Sequence, residues 1–213
     1  MDDRVASAAR FCLRTSRLVL VQTPLHVLET RLQCQGTFTA AVAFPDETIE
    51  VTFPAEWPGD ALVFFPTLLA LYRRAPEDIP WGGTVIEPDD GVAVGQIGFK
   101  HAPEHGAVEI GYNISASHRN RGYATEIVEA LTTWALAQPS VNRVTAECQA
   151  DNEGSIGVLE KTGFQRSGEY VDEEEGLMIL WKRTIGALQN RREPSSPPTS
   201  SPCPSSGAIS TYL

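Results

Sequence analysis

The residues best placed to do chemistry lie in one short run, His118-Arg119-Asn120-Arg121-Gly122-Tyr123-Ala124. Before it, Val108, Ile110, Tyr112 and Ile114 alternate with Glu109, Gly111, Asn113 and Ser115, the period of a strand. After it, Ile127, Val128, Leu131, Trp134 and Ala135 recur at helical spacing until Pro139 ends the run. A helix start points N–H groups outward with no partner in the helix, at the positive end of its dipole. Small residues at 122 and 124 let the backbone come close to a ligand. With Arg119 and Arg121 beside it, the loop has the chemistry of an anion site. As isolated charges, the two arginines would read as solvated surface.

The rest of the chain must position this unit. Arg17–Val21 reads as a strand, and Thr23-Pro24 opens a helix with Leu25, Leu28 and Leu32 on one face. Residues 36–80 are the least legible, although Ile49–Phe53 alternates and Asp60–Ala75 looks helical. Pro66 there either kinks the helix or starts a second one. Trp57, Phe64, Phe65 and Trp81 read as core residues or as pocket walls. Residues 84–86 and 94–100 form a hairpin about an Asp-Gly turn, and Val141–Cys148 is a further strand. The crossover through the central helix makes that strand parallel to the one at 108–114. Asn152 and Gly163 then bound a short helix, and a hairpin over Phe164–Arg183 ends the patterned region.

Two stretches carry a family resemblance. Arg119-Asn120-Arg121-Gly122-Tyr123-Ala124 resembles the pyrophosphate-binding motif of the GNAT superfamily of acyl-CoA N-acyltransferases, Gln/Arg-x-x-Gly-x-Gly/Ala. Asn152-Glu153-Gly154-Ser155 followed by Val158-Leu159-Glu160-Lys161-Thr162-Gly163-Phe164 is similar to its second signature. Glu109-Ile110-Gly111-Tyr112 and Gly122-Tyr123-Ala124-Thr125-Glu126 resemble one branch of it, which includes enzymes that acetylate N-termini of ribosomal proteins and many uncharacterised relatives. The likeness spans about residues 15–184. It implies an α+β fold: a mixed, largely antiparallel twisted sheet of six or seven strands, helices on both faces, and central strands splayed for acetyl-CoA. It also implies a β-bulge in the central strand, for which Gly111 is the natural seat.

On this resemblance the main chain at Asn113, Ile114 and Ser115 holds the pantetheine arm. Arg119, Asn120, Arg121, Gly122, Tyr123, Ala124 and Thr125 hold the pyrophosphate, and Asn152 meets the pantetheine end. Tyr123 and Thr125 also read as residues packing the first helical turn, and Asn152 as a helix cap. Glu109, the acidic residue of the central strand, is the candidate base. Leu159 stands where many members carry a tyrosine acid, so Ser155 is the candidate proton donor. The implied reaction is acetyl transfer from acetyl-CoA to a primary amine, without metal or covalent intermediate. The acceptor is a protein N-terminus or a small-molecule amine. The alternative is a CoA-binding regulatory module without turnover.

Composition narrows the setting. A formal charge of −10 over 213 residues argues against a general nucleic-acid binder. The four cysteines are scattered, with no metal-ligand spacing or disulfide framework. The apolar run at 61–72 is broken by Pro66 and too short to span a membrane. A cytoplasmic monomer or homodimer is expected. Three segments are expected: a loosely ordered 1–14, the acetyltransferase domain at 15–186, and a disordered Ser/Pro-rich tail at 187–213.

Overall fold

The computed structural model describes residues 11–76, 79, 81–185, 211 and 212. Most of the two terminal segments set apart by composition lies outside these residues. Within the first, Cys12–Arg14 form a strand, β1, which pairs with β2 (Val19–Val21) and buries Cys12 and Leu13. Within the last, Thr211–Tyr212 form β11 against β1.

Between them run α1 (Leu25–Gln33), β3 (Phe38–Ala43), β4 (Thr48–Phe53), α2 (Phe65–Arg74), β5 (Gly82–Glu87), β6 (Val92–Phe99) and β7 (Ala107–Ile114). Then come α3 (Tyr123–Leu136), β8 (Arg143–Gln149), α4 (Glu153–Lys161), β9 (Gln165–Asp172) and β10 (Gly176–Thr184). The strand order is β11-β1-β2-β5-β6-β7-β8-β10-β9, with hairpin β3–β4 joined to β6 through Thr52 and Val92. Among the described residues eleven strands therefore stand where the resemblance implies six or seven. The added ones lie in the segments whose sequence has the weakest patterning.

Alternation along the strands sends side chains to two cores. Val108, Ile110 and Ile114 of β7 join Val144 and Ala146 of β8 against Ile127, Leu131 and Trp134 of α3. On the other face Val19, Val21 and Ile86 pack with Val27 and Leu28 of α1, Phe65 of α2 and Trp57. Helices thus cover both faces, as expected. Arg183, only 3% exposed, clamps the first layer by bonding Glu129 of α3 and the Thr162 main chain after α4.

Several local expectations are corrected. Thr23 does not cap α1; its hydroxyl lies 3.0 Å from that of Thr84 and accepts from the Gln96 amide. The buried face of α1 is Val27, Leu28 and Arg31, while Leu25 and Leu32 are exposed. Pro66 starts a second helix: a 3-10 turn over Gly59–Phe64 hands over to α2 there. Trp57 and Phe65 are core, Trp81 stacks edge-on against Trp134, and Phe64 is exposed.

Candidate active site

The phosphate-type loop is built as the sequence indicates. Asn120 and Gly122 take φ of 62° and 81°, which turn the chain sharply into α3. Gly122 caps the helix, and its carbonyl accepts from Glu126 N at 3.0 Å. The N–H groups of Tyr123, Ala124 and Thr125 open the helix ahead of that bond. Arg119, Asn120 and Arg121 are exposed, Tyr123 is buried, and Ala124 and Thr125 are half-buried.

A third arginine stands at this helix end. Arg17 donates to the Arg121 carbonyl at 3.0 Å and covers the Tyr123 ring at 4.8 Å. It is held by Glu126, which takes Arg17 Nε at 2.7 Å, the Arg17 N–H at 3.0 Å and the Thr15 hydroxyl at 2.6 Å. Burial pushes the Glu126 carboxyl up, but the hydrogen bonds from Thr15, Arg17 and Ser16 outweigh it and hold the group below the usual range. Tyr123 in turn donates to Glu87, and that bond raises its phenol. Arg17 and Glu126 are 109 residues apart, and no spacing rule joins them.

The cleft comes from strand pairing. β8 pairs with β7 only at Ala107, Val108 and Glu109, opposite Arg143, Val144 and Thr145. Beyond Glu109 the two strands part, while β7 stays paired to β6 in unbroken register as far as Ile114. The bulge expected at Gly111 is therefore absent; β5–β6 shifts register at Val85/Ile86 instead. Glu109 O accepts from Lys100 N, and Ser115 N donates to Val94 O, both at 2.9 Å. Odd-numbered residues thus turn their peptide groups toward β6, and Ile110, Tyr112 and Ile114 turn theirs toward the gap.

This sorts the arm-binding candidates. Ile114 faces the gap, and its carbonyl accepts Arg119 Nε at 3.0 Å. Asn113 points its main chain at β6 and donates its side-chain amide to Asp60 at 3.3 Å, on the face away from α3. Ser115 also bonds β6 through its N–H, and its hydroxyl is buried without a hydrogen-bond partner. Ser117, next along, gives its N–H and hydroxyl to Glu56, and those bonds, the hydroxyl's first, hold the Glu56 carboxyl low.

Glu109 forms an ion pair with Lys100 on the face that carries Asn113. Ser155 lies in the first turn of α4, where Asn152 caps the helix by accepting Ser155 N at 3.0 Å. Leu159 is core, 1% exposed. Tyr112, which sequence reasoning passed over, reaches from β7 to α4 and donates its hydroxyl to Ser155 O at 3.3 Å. Burial pushes its phenol up to about 12. Among the described residues no group of three or more His, Cys, Asp or Glu could hold a metal, and no helix is long and apolar enough to cross a membrane.

A family model for the acetyltransferase (GNAT) domain matches residues 41–165. The chain belongs to the GNAT family of acetyltransferases. Uncharacterized N-acetyltransferase YjdG of Bacillus subtilis is 37% identical over 123 residues, covering 54% of this chain and 72% of that one. Uncharacterized N-acetyltransferase YoaA of the same organism is 29% identical over 157 residues, covering 73% and 84%. The fold matches a GNAT acetyltransferase from Bacillus anthracis with a TM-score of 0.56, 20% identity and coverage of 81% and 98%. It also matches RimL, a ribosomal L7/L12 α-N-protein acetyltransferase solved with coenzyme A, with a TM-score of 0.55, 16% identity and coverage of 81% and 97%. As a GNAT enzyme the protein is an acetyl-CoA-dependent N-acetyltransferase.

Proposed function

We propose that acetyl-CoA lies with its phosphates at the N-terminus of α3 and its arm along the open edge of β7, and that a primary amine attacks the thioester directly. The observation that carries this is the parting of β7 from β8 after Glu109, next to a helix start flanked by arginines. The N–H groups of Ile110, Tyr112 and Ile114 offer the amide groups of the arm the bonds that an added strand would make. One of them is also suited to receive the oxyanion of the tetrahedral intermediate. Arg119 then gives up the Ile114 carbonyl for phosphate, with Asn120, Arg121 and the Tyr123–Thr125 main chain beside it.

The chemistry closes without an enzyme-linked species. The amine nitrogen bonds to the carbonyl carbon, the C–S bond breaks, and the thiolate takes up a proton. Glu109 receives the amine proton, directly or through water. Two hydroxyls stand near the far side of the gap as donors: Ser155, and Tyr112, whose raised pKa keeps it protonated. With Leu159 in the core, Tyr112 supplies a phenol from the strand rather than from the last helix. The acceptor belongs to the primary amines, a protein N-terminus or a small molecule. Cys12, Cys34 and Cys148 are all thiols, which suits a cytoplasmic setting, as monomer or homodimer.

Initial-rate kinetics of thiol release, varying acetyl-CoA against an amine, test the reading. Intersecting lines support a ternary complex. Parallel lines would overturn direct attack, and tight CoA binding with no thiol release from any amine would favour the regulatory module.

A further inference from the structure

Gly111 has no packing reason to be glycine. A Cβ on Gly82 would come within 2.3 Å of Gly98 Cα, one on Gly83 within 1.9 Å of Val21 O, and one on Gly95 within 2.4 Å of Asn113 O. A Cβ on Gly111 would meet nothing within 4 Å, and its φ is not in the left-handed region. A glycine inside a paired strand weakens it and marks a place that another group approaches closely. Its partner on β6 is Gly98, where a Cβ would meet Trp81 O at 3.2 Å and Gly82 Cα at 3.3 Å, so the bare patch lies at Gly111 with a second glycine beside it. Gln96 and Asn113 border it on one side, and the Lys100–Glu109 ion pair on the other. It lies on the face away from α3, because Val108, Ile110 and Ile114 fill the α3 side.

Resting on the acetyl-transfer reading above, we infer that this patch seats the acceptor and selects a primary amine on an unbranched stem that carries a second cation. The thioester carbon lies along the β7 edge, so the attacking nitrogen must approach close to the strand at 111. A side chain there stands in its path. A branch beside the nitrogen meets the Gln96–Asn113 or Lys100–Glu109 wall. Asp60, bonded to Asn113, sets a carboxylate two residues further on, about 7 Å along the strand. Glu109 is balanced by Lys100, whereas Asp60 faces the Asn113 amide, so the second cation is drawn to the Asp60 end.

The test uses the full chain with 1,5-diaminopentane, n-pentylamine and 2-aminopentane as acceptors, read by thiol release, and calorimetry for CoA. Wild type should favour 1,5-diaminopentane. Gly111→Val should lower kcat/KM for it by about a hundredfold through misplacement, with CoA affinity unchanged. Gly111→Ala should raise the thermal midpoint while still lowering kcat/KM, which separates an acceptor effect from damage to the fold. Asp60→Asn should cut the preference for 1,5-diaminopentane over n-pentylamine about tenfold, the loss of a charged contact. The inference is overturned if Gly111→Val keeps full kcat/KM, or loses CoA binding in step with activity. It is also overturned if the wild type binds CoA yet uses 2-aminopentane as well as 1,5-diaminopentane, or uses neither. Failure of the wild type to bind CoA overturns the acetyl-transfer reading and this inference with it.

Discussion

Tyr112 on β7 donates its hydroxyl to the main-chain oxygen of Ser155 on α4, 3.3 Å away. The bond crosses from the strand that parts from β8 to the helix that follows β8. It ties the two sides of the gap together. Burial, the largest influence, pushes the phenol up to about 12, from an ordinary value near 10.

A stability effect at high pH follows from that shift. Above about pH 10 the unfolded chain loses the Tyr112 proton while the folded one keeps it, so the folded state binds more protons and stability falls as pH rises toward 12. Each unit is worth about 1.4 kcal/mol, so the loss is on the order of 2–3 kcal/mol. Tyr112→Phe should flatten the denaturation midpoint over that window and leave the response of Tyr123, raised by Glu87, in place. Equal slopes in wild type and variant would show that Tyr112 is not held in its protonated form.

Gly122→Val should weaken CoA binding by about a hundredfold, because a β-branched residue is strained at a φ of 81° and its side chain crowds the helix start. The Arg17 guanidinium lies 3.4 Å from where that Cβ would sit. Acetyl-pantetheine, which lacks the phosphates, should bind wild type and variant alike. Calorimetry with both ligands checks it, and equal CoA affinity in the two proteins would rule out the phosphate assignment.

Glu109→Gln should lower kcat by roughly 10²–10⁴-fold, the usual worth of a positioned base, and leave the CoA dissociation constant nearly unchanged. An alkylamine is mostly protonated at neutral pH, with a reference pKa of about 10.4, so the acidic limb of the pH–rate profile should change as well. Ser155→Ala should cost less, because Tyr112 and water remain as donors. Full kcat and an unaltered profile in Glu109→Gln would mean that the enzyme relies on positioning the small unprotonated fraction of the amine.

Short-range signals were legible where local physics is enough. The period-two run at Val108–Ile114, the helical run from Ile127 to Ala135, the glycine turn at 122 and the Asn152 cap all appear in the structure as their spacing indicates. Their order along the chain also determined the parallel crossover of β7 and β8. Where signals were weak, the neighbours decided. Thr23 left its cap position for Thr84 and Gln96, and Gly111, a natural seat for a bulge, sits in unbroken register with Gly98.

By itself, then, the sequence determined the loop at 119–125, its strand and helix, and the family to which they belong, because each rests on dihedral preference and periodicity within a few residues. The tertiary structure alone decided that Arg17 and Glu126 meet at the loop, that Tyr112 reaches Ser155, and that Asn113 turns to Asp60 and away from the gap. Those relations depend on strand order and on which edge of β7 is paired. Both follow from the packing of two cores on one sheet, which no window of the sequence contains.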